Sequence, residues 1–249
     1  MRPDAKKKIA TVTPKKGPNP IVIGAAVAVV LIVAVVVAIV MANNGKTGSA
    51  SDGTSGSTQP AGAVSSDGGG ILVNKATAKS NAPTLDLYED FQCPTCGALE
   101  KAMGPTMTSL SDAGDIKFII HTLTFLDDNL KNDSSKRATN AAACASDAGK
   151  FLPYHALVFA AQPAQEGAGY TDAQLTQFAT EAGITGPALT TWQQCASSGH
   201  YDQFVIDVQD ASSRAGINST PTVKLDGKDI TRTLSTPEAL VAQVKAATK

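Results

Sequence analysis

The chain predicts an α/β domain in the order β-α-β, a block of helices, then β-β-α, preceded by one transmembrane helix and a flexible linker. Three observations predict the domain. A strand-like stretch runs into a C-x-x-C and then a helical repeat over residues 84–111, Ala-rich helical sequence fills about 131–216, and strand character returns at Pro221 ahead of a last helix. Its 249 residues are 43% apolar and 17% charged, within the range of ordinary globular chains, which excludes a fully disordered polymer or a polytopic transporter.

Charge and hydropathy divide the chain before any motif is read. Residues 1–20 carry Arg2, Lys6, Lys7, Lys8, Lys15 and Lys16 against Asp4, while residues 43–249 hold 15 Lys/Arg and 21 Asp/Glu. The overall charge of −1 is thus a cancellation, and the acidic bulk lacks the basic face that nucleic acid would need. Residues 21–42 form a run without a charged or strongly polar side chain. At about 1.5 Å per residue it reaches roughly 33 Å, enough to cross a hydrocarbon core of about 30 Å. It exceeds the roughly 7–15 residues of a signal-peptide core, so an uncleaved anchor is expected over a cleaved signal. The basic tail keeps the amino terminus cytoplasmic and places residues 43–249 outside. Residues 43–70, with eight Gly and six Ser, read as a linker spanning roughly 30 Å as a random coil. A single domain of residues 71–249 follows.

The domain's elements are read in order. Residues 84–91 open with apolar and β-prone positions and end in acidic ones, as a buried strand would. From Pro94 to about 111, Ala98, Leu99, Ala102, Met103, Met107 and Leu110 recur at helical spacing, with a kink expected at Gly104-Pro105. Residues 116–123 form a second strand. Helices are expected at 136–148, 151–161, 171–182, 187–198 and 200–216, with a capping box at Thr171/Gln174 and a C-cap at Gly183. Residues 221–225 and 228–232 flank a D-G turn as a hairpin, and Pro237 starts a final helix to about 247. This order is that of a thioredoxin fold with a helical insertion.

Cys93, Cys96, Cys144 and Cys195 all lie in the domain, and export would permit disulfides. Spacing separates the close C-P-T-C pair from two solitary cysteines 51 positions apart, so the simplest connectivity is 93–96 and 144–195. The C-P-T-C sits where a strand becomes a helix. Proline suits the first helical turn, so free N–H groups are aimed at Cys93, stabilising its thiolate as the attacking nucleophile. Cys96, one turn further in and less exposed, can resolve the mixed disulfide. A zinc half-site lacks its second half, since His121, His155 and His200 show no paired ligand spacing, and a structural bond across so tight a loop would restrain little of the unfolded chain. The three histidines, with Tyr154, Phe159, Phe178, Trp192 and Phe204, read most simply as structural.

With YEDFQCPTC (88–96), FAAQP (159–163) and STPT (219–222), the chain resembles the DsbA-like thiol:disulfide oxidoreductases, most closely the membrane-anchored, extracytoplasmic actinobacterial form. The resemblance implies a cis peptide at Pro221, packed against the active-site sulfurs, and a Thr220 backbone that pairs with substrate peptide. It also implies a buried carboxylate beneath the second cysteine, for which Asp86, Glu89 and Asp90 are candidates. Strand alternation puts Asp86 and Asp90 opposite Glu89 unless a bulge intervenes, and Asp86 is ranked first. Thr95 stands where strongly oxidising members carry His, so a less depressed Cys93 pKa and a less oxidising couple than theirs are expected. The Cys144–Cys195 bond would stabilise the insertion. The expected activity is disulfide formation in exported proteins without a bound cofactor or metal. The resemblance adds reoxidation by a membrane partner of the DsbB or vitamin K epoxide reductase-like type. A reductase or isomerase, and a non-catalytic peptide-binding domain, are the alternatives.

Overall fold

The computed structural model describes residues 58–64 and 69–248. The expected membrane span, basic tail and most of the expected linker lie outside these residues, and among the described residues no helix is long and apolar enough to cross a membrane. Five strands form one mixed sheet: β1 (Ile71–Leu72), β2 (Thr84–Glu89), β3 (Lys117–Thr122), β4 (Thr222–Leu225) and β5 (Lys228–Asp229), in the order β1-β3-β2-β4-β5. The central β2 and β3 run parallel, joined by helix α1 (Pro94–Asp112), while β4 lies antiparallel to β2. A parallel pair needs such a crossover, and the fully buried Leu85, Leu87, Phe118 and Ile120 show both strands feeding the core.

The remaining helices are α2 (Phe125–Leu130), α3 (Ser134–Asp147), α4 (Phe151–Ala160), α5 (Asp172–Glu181), α6 (Gly186–Ser198), α7 (Asp202–Arg214) and α8 (Pro237–Ala247). Thr171 and Gln174 form the expected capping box at the start of α5. Helix α3 is the centre of the insertion, packed by α4, α5, α6 and α7. Its alanines at 138, 141, 142, 143 and 145 are all buried, because small side chains let several helices close on one axis. Alanine richness there serves close packing as well as helix propensity.

Five details depart from the sequence expectation, beginning with the short edge strand β1, which the expected order did not include. Helix α2 was not expected, being too short for its periodicity to register. Helix α1 continues through Gly104-Pro105 as one element. The second hairpin strand is only Lys228–Asp229, after which a 3₁₀ turn, Thr231–Thr233, replaces the rest. The folded unit also begins inside the Gly/Ser-rich region. Ala63 bridges to Ile71, Leu72 N–H donates to the Gly62 carbonyl at 2.8 Å, and Ala61 N–H donates to the Asp147 carboxylate at 2.9 Å. Gly62 has φ of +77°, and a Cβ there would lie 2.7 Å from the Leu72 carbonyl oxygen. A glycine that reads as linker composition is therefore required by a tight backbone approach.

Candidate active site

The chain leaves β2 at Glu89 and turns through Asp90, Phe91 and Gln92 before α1 begins. Cys93 is the N-cap in an extended conformation and Pro94 occupies the first turn, where its missing N–H costs no helical bond. Cys93 N–H donates to the Asp90 carbonyl at 2.9 Å, while Cys96 and Gly97 N–H both donate to the Cys93 carbonyl at 3.1 Å. Asp90 is buried, and its carboxylate accepts from Gln92 N–H, Leu126 N–H and the Ser135 hydroxyl. Burial nevertheless raises its pKa to about 7. Its work is to hold the turn against α2 and α3.

Cys93 and Cys96 are free thiols. Cys93 retains 7% of its surface and Cys96 only 1%, with exposed Pro94 and Thr95 between them. The difference has the expected sense, although the Cys93 sulfur lies at a covered edge rather than in the open. Its Sγ is 3.0 Å from Thr95 Oγ1 and 3.7 Å from the Thr220 carbonyl oxygen, and the Thr220–Pro221 peptide is cis. The loop before β4 is thus brought to the Cys93 sulfur from the far side of the sequence.

The two sulfurs ionise in opposite directions. Hydrogen bonding from Cys96 lowers the Cys93 pKa from 9.0 to about 5 against the opposing effect of burial, with Thr95, Thr220 and the Cys96 backbone adding to it. Burial drives the Cys96 pKa up, and its hydrogen bond to Cys93 and the charges of Cys93 and Glu89 drive it further. One sulfur is held as a thiolate and the other as a thiol. Thr95 therefore supplies one of several stabilising contacts, and the depression does not require a cation at that position.

The carboxylate whose charge acts on both sulfurs is Glu89. Asp86 is not brought to the pair: its carboxylate is hydrogen-bonded to His121 Nε2 at 3.0 Å, on the face where His121 stacks on Tyr88. Glu89 shares the opposite face with Leu85 and Leu87, and it is buried against His155 of α4. The two leucines mark the core side of β2, and the same alternation places Glu89 there without any bulge. Burial raises the Glu89 pKa despite the lowering effect of His155.

Gln162 was legible only as part of the FAAQP motif. Its amide Nε2 donates to the Phe91 carbonyl at 2.9 Å and the Cys93 carbonyl at 3.0 Å, while Tyr170 OH donates to Phe91 at 3.0 Å. A Cβ at Gly97 would lie 2.3 Å from Gln162 Oε1, so the residue after Cys96 must be small for this clasp to close. Replacing Gln162 with Leu should cost about 1–3 kcal/mol of stability in denaturant titration, because two hydrogen bonds are lost although Phe91 keeps Tyr170 OH and Cys93 keeps the Cys96 and Gly97 N–H donors. It should also slow exchange at Cys93, measured as oxidation of a reduced test peptide. Cys144 of α3 and Cys195 of α6 form a disulfide, with Cα atoms 6.0 Å apart. Among the described residues, no group of three or more His, Cys, Asp or Glu side chains is placed to hold a metal ion.

A thioredoxin family model matches residues 76–246. The chain is similar to the structure of DsbA from Mycobacterium tuberculosis, with 30% identity over 69% of this chain and 90% of that one and a TM-score of 0.58. A disulfide bond oxidoreductase (DsbG) from the same organism also gives 30% identity and a TM-score of 0.58, covering 69% of this chain and 85% of that chain. The thiol-disulfide oxidoreductase MdbA from Corynebacterium diphtheriae gives 25% identity and a TM-score of 0.59, covering 76% and 95%. No curated protein matches the sequence.

Proposed function

Because the chain belongs to the thioredoxin family, among its DsbA-like thiol-disulfide oxidoreductases, we propose that it forms disulfides in exported proteins by exchange at Cys93 and Cys96. In this reading residues 21–42 anchor the chain, residues 1–20 stay in the cytoplasm, and the folded unit works outside the membrane. The observation that carries it is the position of the Cys93 sulfur at the N-terminus of α1 with Thr95 Oγ1 3.0 Å away, which favours its thiolate. A thiolate favoured only after the disulfide opens stabilises the reduced enzyme, so the oxidised enzyme accepts electrons readily.

The reaction is an exchange of sulfur bonds. A substrate thiolate attacks the Cys93 sulfur of the oxidised pair, forming a mixed disulfide and expelling Cys96. Cys96 leaves as a thiolate and takes up a proton, as its buried surroundings demand. The substrate's second thiolate then attacks the substrate sulfur, closing the substrate disulfide and releasing Cys93 as the better leaving group. Two electrons have passed to the enzyme. In this reading Thr220, whose carbonyl oxygen lies 3.7 Å from the Cys93 sulfur ahead of cis Pro221, offers its backbone to the substrate peptide. A membrane partner of the DsbB or vitamin K epoxide reductase-like type removes the electrons.

Cys93→Ser should abolish oxidation of a reduced test protein by the full-length chain. Retained activity would favour a peptide-holding role instead. Thiol trapping in cells should find Cys93 and Cys96 mostly oxidised, and a mostly reduced pair would reverse the proposed direction of electron flow.

A further inference from the structure

The helical insertion carries a cleft of about 700 Å³ to which the exchange at Cys93 assigns no task. Its floor is one face of α3 with its N-cap: Asp133, Lys136, Arg137, Asn140 and Ala141 recur at the spacing of a single helical stripe. Helices α5 and α6 form the walls, and Asp202 of α7 stands at one end. From Asp133 to Ala141 the floor runs roughly 12 Å at about 1.5 Å per residue, the length of about four residues of extended chain. Floor and wall are both tied to the turn that carries Cys93. The Ser135 hydroxyl donates to the Asp90 carboxylate at 2.6 Å, and Cys93 N–H donates to the Asp90 carbonyl at 2.9 Å. On the other side Tyr170, two residues before Asp172, donates its OH to the Phe91 carbonyl at 3.0 Å.

The lining is polar along its whole length, unlike the largely apolar site that a small cofactor fills. Gln193 and Gln194 are exposed on the α6 wall, and among the described residues their side-chain amides have no hydrogen-bond partner. Each amide offers both a donor and an acceptor, which is what a peptide backbone requires. The charges are held loosely. Arg137 pairs with Asp133 at 3.7 Å and with Asp172, whose side chains are 70% and 92% exposed, and Lys136 pairs with Asp202 at 2.7 Å. Exposed pairs of this kind contribute little, so an incoming charge can take the place of either partner. Three aspartates face two cations, and the surplus carboxylate favours a positively charged occupant.

We propose that this cleft is a subsite for the reduced substrate, taking an extended polar segment that carries a lysine or arginine near the reacting cysteine. The proposal rests on the reading of Cys93 and Cys96 as the exchanging pair and names the kind of substrate they serve. The segment's backbone meets the amides of Gln193 and Gln194, and its cation meets Asp133 and Asp172 beside Arg137. No bond is made or broken in the cleft. Its contacts are the same before and during exchange, so they lower KM and leave kcat alone.

The test is oxidation of two reduced peptides by the full-length chain, with KM and kcat read separately. One is a short dithiol peptide, and the other adds a polar tail of about eight residues with one lysine, long enough to span the cleft. The tail should lower KM about tenfold, the worth of one or two net hydrogen bonds, with kcat unchanged. Gln193→Trp fills the cleft from an exposed position and should remove that advantage, while the short peptide is oxidised at the parent rate. Asp172→Lys, also at an exposed position, should reverse the charge preference, so that a tail with glutamate in place of lysine gives the lower KM. The tail without cysteines should compete with the tailed peptide and not with the short one. Equal KM values for the two peptides in the parent chain, or a tail advantage that survives both substitutions in folded protein, would overturn the subsite. Failure to oxidise even the short peptide would instead overturn the redox function beneath it.

Discussion

Ultraviolet thiolate absorbance of the reduced chain should rise by one thiolate in a step centred near pH 5, with no second step from Cys96 through the range of an ordinary cysteine. Absorbance is the appropriate readout because Cys93 keeps only 7% of its surface and reagent access would confound a rate. Alkylation still gives a second measure if the pH is chosen by the chemistry. At pH 7 a thiolate with a pKa of about 5 is almost fully formed, but its lower basicity makes it a weaker nucleophile, and the two effects nearly cancel. At pH 5 Cys93 is half ionised, against roughly one part in ten thousand for a thiol at 9.0. After the nucleophilicity discount its intrinsic advantage is roughly 50- to 100-fold, before any loss from limited access.

Variants should separate the contributions to this thiolate. Cys96→Ala should raise the midpoint most, because its hydrogen bond is the largest contribution, and Thr95→Val should raise it by less. The stability of the reduced form follows with a definite sign. The folded pKa lies below the unfolded one, so the thiolate's contribution is fully present above pH 9.0 and is lost as pH falls through about 5. The oxidised form has no such dependence from this group. Between these limits the reduced form should therefore gain stability over the oxidised form as pH rises. An absorbance midpoint at the ordinary thiol value would remove the basis of the proposed oxidase.

The second large effect concerns the insertion. Replacing Cys144 and Cys195 together with Ala should lower the denaturant midpoint by an amount equivalent to about 4 kcal/mol at most, from reopening a loop with sequence separation 51. The disulfide ties α6 to α3, where Trp192 Nε1 also donates to the Ala141 carbonyl at 3.0 Å, so some attachment survives its removal. The Cys93 titration should not move, because neither residue is among the groups that act on Cys93. A shifted titration, or cleavage of this bond before the Cys93–Cys96 bond in a glutathione titration, would give the second pair a redox role.

Residues that act through their own stretch of chain were legible from the sequence alone. Strand, cysteines, proline and helix start all lie within residues 84–96, and local backbone preferences suffice to build that junction. The capping box at Thr171 and Gln174 is equally local. Asp86 and Glu89 show where this legibility ends. Alternation along β2 separates them, but the sequence ranking passed over Leu85 and Leu87 as the markers of the core face. His155 had no functional signal, since its partners come from 66 positions away on β2 and from α1. Gln162 was part of a motif without a stated task until the fold laid it across the Cys93 turn.

The sequence by itself determined the C-P-T-C pair at its strand-to-helix junction, the order of the strands and helices apart from β1 and α2, and the simplest pairing of the other two cysteines. The tertiary structure decided which carboxylate acts on the buried sulfur, which histidine reaches it, and where the Gly-rich stretch gives way to folded chain. The reason is range. Helix starts, strand alternation and cysteine spacing arise from neighbours along the backbone, whereas protonation in a buried site depends on groups brought together through space.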